Sequence, residues 1–389
     1  MFFGFFSEFL TGCLPACILI AVFEYVEGDT MADTNKKALI AMSGGVDSSV
    51  AAHRMMQAGY TCMGVMMRLY QNEDIGLPVM GTCCSIHDIQ DAEAVAARLG
   101  IPFRAVNFTA EFRHDVMERF VSIYEQGGTP NPCIDCNRYL KFDRLLQYAR
   151  SQGCDVIATG HYARIERSAD GRWLLKKAAD PAKDQSYVLY MLTQEQLEHV
   201  RFPLGEITKQ EARAIAASLG FPNAKKHDSQ DICVVPDGDY AAFLERERGS
   251  AYPAGDFVSP AGDVLGQHKG AVRYTVGQRR GLGISAPERL YVIGKDMARN
   301  TVTVGSEDAL FYTEVDVEAL NWIAFDALTE PIRCSAKLRY RMAEQPCTLS
   351  PAGDDRVRIT FDQPQRAPTA GQAAVFYDGD TVLGGGTII

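Results

Sequence analysis

The stretch from residue 38 to residue 58 constrains this chain more than any other. A short apolar run, residues 38–42, leads into Ser43-Gly-Gly-Val-Asp-Ser48, and residues 48–58 follow as an amphipathic helix that stops at Gly59. A strand that ends in a glycine turn and restarts as a helix opens a strand–helix–strand unit, which points to a parallel sheet. The two glycines let the backbone curl without a Cβ clash. Their N–H groups, the serine hydroxyls and the helix N-terminus together make a cradle for an anion. This is not a Walker A loop, because the Gly-Lys-Ser/Thr ending occurs neither here nor elsewhere in the chain. With no lysine in the loop to ride a γ-phosphate, the cradle suits a pyrophosphate leaving group. The plainer alternative is a glycine turn that only joins strand to helix, but the string sits in the strand–helix context that the chemistry requires.

The alternation continues. Strands are expected at 61–67, 103–108 and 155–159, and helices at 85–99, 110–124 and 139–150, with turn-rich Gly127-Gly-Thr-Pro-Asn-Pro132 between the last two helices. This order predicts an α/β domain with a doubly wound parallel sheet and ligands at the carboxyl ends of its strands. After Gly160 a hairpin over 162–177 turns at Ala169-Asp-Gly171, and Thr208-x-x-Glu211 is a capping box opening a helix that ends at Gly220. From about Ala251 the chain turns to glycine and short alternating strands, including 301–304, 357–361 and 375–377, which predicts a small mixed central domain and a C-terminal β-barrel. The expected division is 31–225, 226–300 and 301–389, with residues 1–30 an extension outside the fold.

The 389 residues are 47% apolar and 23% charged, enough to bury a sizeable core and unlike a disordered or fibrous chain. With 39 basic against 49 acidic residues the net charge is −10, so any nucleic-acid site must be a local patch. Residues 9–23 are uncharged but interrupted by Pro15 and too short to span a bilayer, and no Lys or Arg precedes Lys36 as a secretory signal requires. Met31 is the expected functional start; a weak membrane-associated anchor is the alternative for what precedes it. Eleven unevenly spaced cysteines fit reduced thiols in a cytoplasmic protein better than a disulfide scaffold.

Two cysteine motifs carry more. Thr129-Pro-Asn-Pro-Cys-Ile-Asp-Cys-Asn137 with Lys141-Phe-Asp143 places Cys136 just before the expected helix, where the helix N-terminus would lower its thiol pKa. Ser229-Gln-Asp-Ile-Cys233 supplies a second thiol. Around them lie Ala158-Thr-Gly-His-Tyr162, Lys183-Asp-Gln-Ser-Tyr187 and Tyr274-Thr-Val-Gly-Gln-Arg-Arg-Gly-Leu-Gly283.

The Ser43–Ser48 string resembles the pyrophosphatase-loop, adenine nucleotide hydrolase-like enzymes, which adenylate a carbonyl oxygen and release pyrophosphate. The ordered set of motifs from about Lys37 to Ile389 resembles the tRNA-specific 2-thiouridylases. That resemblance implies ATP-dependent replacement of the C2 oxygen of a tRNA wobble uridine by a persulfide sulfur. It implies Cys136 as nucleophile and Cys233 as persulfide carrier. It implies ATP contacts at Ala41, Met42, Ser43, Gly44, Gly45, Val46, Asp47, Ser48, Met67 and Gly160, with Asp47 helping to hold Mg2+. It implies tRNA contacts at Asn131, Pro132, Cys133, His161, Lys183, Asp184, Gln185, Arg339, Tyr340 and Gln372. Its partners would be tRNA and a sulfur donor, such as a cysteine desulfurase or a sulfur-relay protein, with no membrane.

The charge pattern agrees with an RNA partner. Between Lys269 and Arg299 seven basic residues face two acidic ones, and Arg333, Lys337, Arg339 and Arg341 form a second cluster. Tyr274, Tyr291 and Tyr340 interleave with these charges, so phosphate contacts and base stacking are both expected. Each run alone is equally well read as a solvated surface. His53 and His114 are read as surface or core residues, and Cys62, Cys154, Cys334 and Cys347 as inert buried thiols. Cys133 stands where many members of the family carry an aspartate, which puts a general base there in doubt. The Cys83–Cys84 pair, and a Cys133–Cys136–Cys233 iron–sulfur cluster as a route less favoured than the persulfide, complete the expectations. The rivals are a pyrophosphatase-loop amidating ligase, which needs no cysteine pair, and a non-catalytic RNA-binding module, which leaves Ser43–Ser48 unexplained.

Overall fold

The computed structural model describes residues 36–70, 86–227, 233, 235, 238–353 and 355–389. The N-terminal extension, Cys83–Cys84 and Ser229–Ile232 lie outside the described residues. Strand β1 (Lys37–Ala41), helix α1 (Val46–Gln57), strand β2 (Thr61–Arg68), helix α2 (Ile86–Leu99), strand β3 (Phe103–Asn107) and strand β4 (Val156–Ala158) follow the expected alternation within a residue or two. All pair in parallel, in the order β3-β2-β1-β4, and the two-residue strand Val200–Arg201 adds a fifth position beside β4.

The sheet is covered on both faces, so β1 reads as an unbroken apolar run. Successive side chains of a strand point to opposite faces. Leu39 accordingly packs into the layer formed by the helices between Thr109 and Ser151, while Ala38 and Ile40 pack under α1, α2 and the helix Lys209–Ser218. The chain order reverses between β1 and β4. In open α/β sheets that switch point leaves a crevice at the carboxyl ends of the strands, and the residues after Ala41 and Ala158 both enter it.

The expected helix at 139–150 begins earlier. It starts at Pro132 (Pro132–Asp135), continues with i→i+5 hydrogen bonding through Cys136–Arg144 and ends as Leu145–Ser151. Pro132, read as a turn signal, is the first helical residue, a position where its missing N–H costs nothing. Asn131 caps this helix by accepting the Cys133 N–H at 3.2 Å.

A second sheet of four strands joins Gly255–Val258, Val264–His268, Tyr291–Asp296 and Thr301–Gly305. The C-terminal sheet runs Phe311–Trp322, Arg356–Arg366, Gln345–Pro351, Ile332–Lys337, Ala373–Asp378 and Thr381–Ile388, and the first strand pairs back to the last, closing an antiparallel barrel. Closure leaves these strands no free edge to the ring. The hairpin Arg164–Arg167 and Trp173–Lys176 joins this sheet through Lys176 opposite Thr381, tying the first domain to the barrel. Among the described residues no helix is long and apolar enough to cross a membrane.

Candidate active site

The loop after β1 folds on its own serines. Ser48 Oγ accepts from the Ser43 N–H at 3.1 Å and donates to Gly45 O at 3.1 Å, while Ser49 Oγ donates to the same carbonyl at 2.9 Å. Gly44 adopts φ +73°, and a Cβ there would collide with the Asp88 carbonyl. Both reasons require glycine. Gly45 caps α1 without a side chain, and Asp47 lies in the first turn of the helix.

Gly160, just past β4, lets the switch point close. A Cβ at Gly160 would sit 2.8 Å from Asp47 C and Ser48 N, so only a glycine allows this turn to abut α1. Met67 lies half-buried near the carboxyl end of β2, paired with Val106.

Two lysines reach the loop from far along the chain, and neither was singled out from the sequence. Lys209 Nζ donates to both Asp47 carboxylate oxygens at 2.7 Å, and Tyr162 Oη donates to Oδ1 at 2.9 Å. Lys226 Nζ donates to Gly44 O at 3.2 Å and pairs with Asp88 at 2.5 Å and Asp91 at 2.7 Å. Burial, the largest single influence, pulls the Lys226 pKa down, but the bonds it donates to those two carboxylates and their charges outweigh it and raise the pKa. Asn223, also unremarked in the sequence, bridges Gly44 O and Ser49 Oγ through its Nδ2. The Thr208–Glu211 capping box was a signal for where Lys209 would begin a helix, but not for what that lysine faces.

The implied magnesium ligand fits poorly. Both Asp47 oxygens are engaged by one ammonium, and among the described residues no three His, Cys, Asp or Glu side chains converge to hold a metal ion.

The thiol expectation for Cys136 is corrected. Because the helix begins at Pro132, Cys136 lies beyond its first turn and is 6% exposed. Burial pushes its pKa up; Lys141 opposes the rise, and Cys133 and Asp135 add to it. Lys141 lies in the same i→i+5 hydrogen-bonded segment as Cys136, near enough for its charge to act on the thiol. Cys133, not Cys136, occupies the helix N-terminus. Asp135 is buried with its pKa raised, by burial first, against the pull of Arg119 and Arg138.

His161 is also buried. Its ring lies 5.7 Å from Phe142 and 5.8 Å from Phe202, and its Nδ1 is 2.6 Å from Thr159 Oγ1. Burial, and secondarily the charge of Lys141, hold its pKa well below the usual histidine range. The same burial favours the neutral form of the ring. Contacts run without a break from the loop through Gly160 and His161 to the helix that carries Cys136.

The barrel meets this region from the other side. Gln372 Nε2 donates to Thr129 O at 2.6 Å, and Ala370 O accepts the Thr129 N–H at 2.8 Å, which fixes the strand-like approach to Asn131-Pro-Cys133. Tyr340 Oη donates to Asp184 O at 3.3 Å, and Tyr340 stands close enough to Cys133 and Asp184 to feel their charge. Asp184 accepts from the N–H groups of Ala178 and Ser186, and Gln185 Oε1 accepts the Tyr162 N–H at 2.9 Å. Lys183 is half-buried on the same loop. Cys233 packs against the core cluster that contains Cys136.

The basic patches are thinner than the sequence implied. Tyr274 and Tyr291 are buried, so neither can stack on a base, whereas Tyr340 is 39% exposed. Arg273 pairs with Glu245 at 2.6 Å and Arg333 with Asp362 at 2.7 Å, and the Lys295 ammonium is buried; Arg279, Arg280, Arg289 and Arg299 are exposed.

A glycine–serine loop at the switch point of a parallel sheet, followed by two smaller β domains, defines a nucleotide-binding α/β class with appended barrels. Three family models match in that order: the tRNA methyl transferase HUP domain over residues 36–237, the tRNA methyl transferase PRC-barrel domain over 241–306 and the aminomethyltransferase beta-barrel domain over 312–388. The chain is 52% identical to the tRNA-specific 2-thiouridylase MnmA of Geotalea uraniireducens, over 91% of this chain and 95% of that protein. It is 49% identical to the MnmA of Symbiobacterium thermophilum, over 91% and 92%. The chain belongs to the tRNA-specific 2-thiouridylase family. Among solved structures, a 4-thiouridine synthetase in complex with RNA and ATP aligns at 18% identity and TM-score 0.32, over 55% of this chain and 50% of that one. An NMN synthetase from Francisella tularensis aligns at 14% and 0.31, over 56% and 79%.

Proposed function

We propose that this protein is an ATP-dependent tRNA-uridine 2-sulfurtransferase acting on the wobble uridine, and that the cradle after β1 binds the ATP phosphates. The observation that carries this reading is the loop itself: Ser43–Ser48 wraps its serines inward at the sheet switch point, against Gly160, in a chain about half identical to 2-thiouridylases over nine-tenths of its length.

The chain's residues supply the following chemistry. The loop N–H groups and the α1 N-terminus stabilise the charge that develops on pyrophosphate as the uridine O2 attacks the α-phosphorus. Lys209, held by Asp47, and Lys226, held at Gly44, bring positive charge that the loop lacks. Magnesium would arrive on the ATP phosphates, and Asp47 would meet it only by releasing Lys209. A terminal persulfide sulfur on Cys233 then attacks C2 and AMP leaves. The Cys136 thiolate attacks the Cys233 sulfur, leaving sulfur on C2 and closing a Cys136–Cys233 disulfide; the alternative order has Cys136 attack first. The charge of Lys141 works against the burial of Cys136, toward the thiolate that either order needs. The persulfide route, which uses Cys136 and Cys233 as a pair, is preferred to a cluster, which would need Cys133 as a third ligand. A cysteine desulfurase or sulfur-relay protein would load Cys233 in the cytoplasm.

On the RNA side, Tyr340, the 183–185 loop and Cys133 line one seam, with Arg339, Gln372, Asn131 and Pro132 holding its walls. Incubation with ATP, unmodified tRNA and a labelled persulfide source tests the reading. Labelled sulfur in the wobble uridine supports it, and amidation of a small molecule without sulfur in RNA would replace it with the ligase reading.

A further inference from the structure

Two thiols outside this chemistry face each other across a strand pair of the barrel. Cys334 in Ile332–Lys337 and Cys347 in Gln345–Pro351 are directly opposed in antiparallel register, and their sulfurs stand 3.6 Å apart. Directly opposed residues in such a pair have Cα atoms roughly 4.5 or 5.5 Å apart, and both values lie within the roughly 4.4–6.8 Å that a disulfide spans. The backbone already meets the requirement of the bond, and side-chain rotation can close the remainder. From sequence the two cysteines looked inert, because thirteen residues of separation give no hint of register.

Their surroundings set the order of events. Cys347 is fully buried in the barrel core, and Cys334 is half-buried at its margin, so an oxidant arrives from the Cys334 side. The hydrogen bond with Cys347, then burial, push the Cys334 thiol up, so its thiolate is scarce and it reacts slowly. The pair sits at the base of the hairpin whose tip carries Arg339 and Tyr340. In the present arrangement that tip is turned onto the protein: Arg339 Nη2 donates to Ala367 O at 2.6 Å and Thr369 Oγ1 at 2.9 Å, and Tyr340 donates to Asp184 O.

We propose that Cys334 and Cys347 are an oxidation site that closes to a disulfide across this strand pair. The oxidant is a peroxide. The Cys334 thiolate attacks one oxygen of hydrogen peroxide, the O–O bond breaks, and the departing hydroxide takes up the proton that the thiol had released, giving one water and a sulfenic acid. The Cys347 sulfur then attacks the Cys334 sulfur, the S–O bond breaks, and a second water leaves with the Cys347 proton. Two thiols lose two electrons in all, and one peroxide gains them.

The test treats the reduced full-length protein with hydrogen peroxide, blocks the remaining thiols and digests without reductant. A linked peptide pair spanning 334 and 347 that dithiothreitol separates, and no such pair in Cys334→Ser treated identically, are expected. Cys334→Ala replaces the serine variant if the latter does not fold. Both thiols still open to alkylation, or Cys334 carried to the sulfinic acid while Cys347 stays free, would overturn the site.

Discussion

Gly160→Ala isolates the contact on which the crevice depends. The new Cβ would stand 2.8 Å from Asp47 C and Ser48 N and 3.0 Å from Asp47 Cβ, all on or beside a helix backbone that cannot swing away as a side chain would. An ordinary contact needs about 3.4 Å, so the start of α1 must retreat by roughly 0.6 Å, an overpacking that costs about 1–3 kcal/mol. For a body of this size that lowers Tm by a few degrees and leaves the fold intact. The functional cost should be larger in proportion. A displacement of ~1 Å at a reacting centre can cost ~100-fold, so a shift of this size should lower tRNA-dependent AMP formation about tenfold. The assay is AMP release with ATP and unmodified tRNA, beside a thermal melt. Gly266→Ala is the control, because its Cβ would meet only Ile284 Cγ1 at 3.8 Å. AMP formation at the wild-type rate in Gly160→Ala, with the control also unchanged, would refute the claim that Gly160 seats the phosphate loop.

Asp47→Ala should abolish AMP formation, Lys209→Met should do nearly the same, and the double variant should be no worse than either, because the two side chains form one unit; additive losses in the steady-state rates would break that coupling. Lys295→Met should stabilise the protein at neutral pH. Burial lowers the Lys295 pKa from 10.5 to about 8, and its ammonium finds no hydrogen-bond partner. The unfolded chain therefore binds the proton more tightly, the cost is full below about pH 8, and it fades as pH rises from there toward 10.5. Urea unfolding should show a gain of at most ~3 kcal/mol at pH 7 that shrinks by pH 10; a pH-independent difference would mean the ammonium is solvated.

The parts of this protein written locally were legible. The glycine loop, the parallel alternation and the Thr208 capping box each depend on a few adjacent residues, and each appears where it was expected. The strand Val200–Arg201 was not, because two residues paired to β4 carry no periodicity. Nor was the helix at Pro132, since Pro-Asn-Pro serves a turn and a capped helix start alike, and Cys136 moved from an open terminus into a buried turn as a result. Lys209 and Lys226 reach the loop from 162 and 182 residues away, through tertiary packing alone. Tyr274 and Tyr291 lie among basic residues in sequence yet point into cores in space, which charge counting cannot distinguish.

The central claim is that adenylation at the Ser43–Ser48 loop drives sulfur from Cys233, with Cys136, onto tRNA. One measurement tests it most directly: AMP and 2-thiouridine counted together in a single turnover by the wild type, Cys136→Ser and Cys233→Ser, each supplied with ATP, unmodified tRNA and a persulfide source. The account predicts one AMP per 2-thiouridine in the wild type, no 2-thiouridine from either variant, and AMP still formed by Cys233→Ser, because activation precedes the arrival of sulfur. Wild-type yields of 2-thiouridine from either serine variant, or 2-thiouridine formed without AMP, would contradict it.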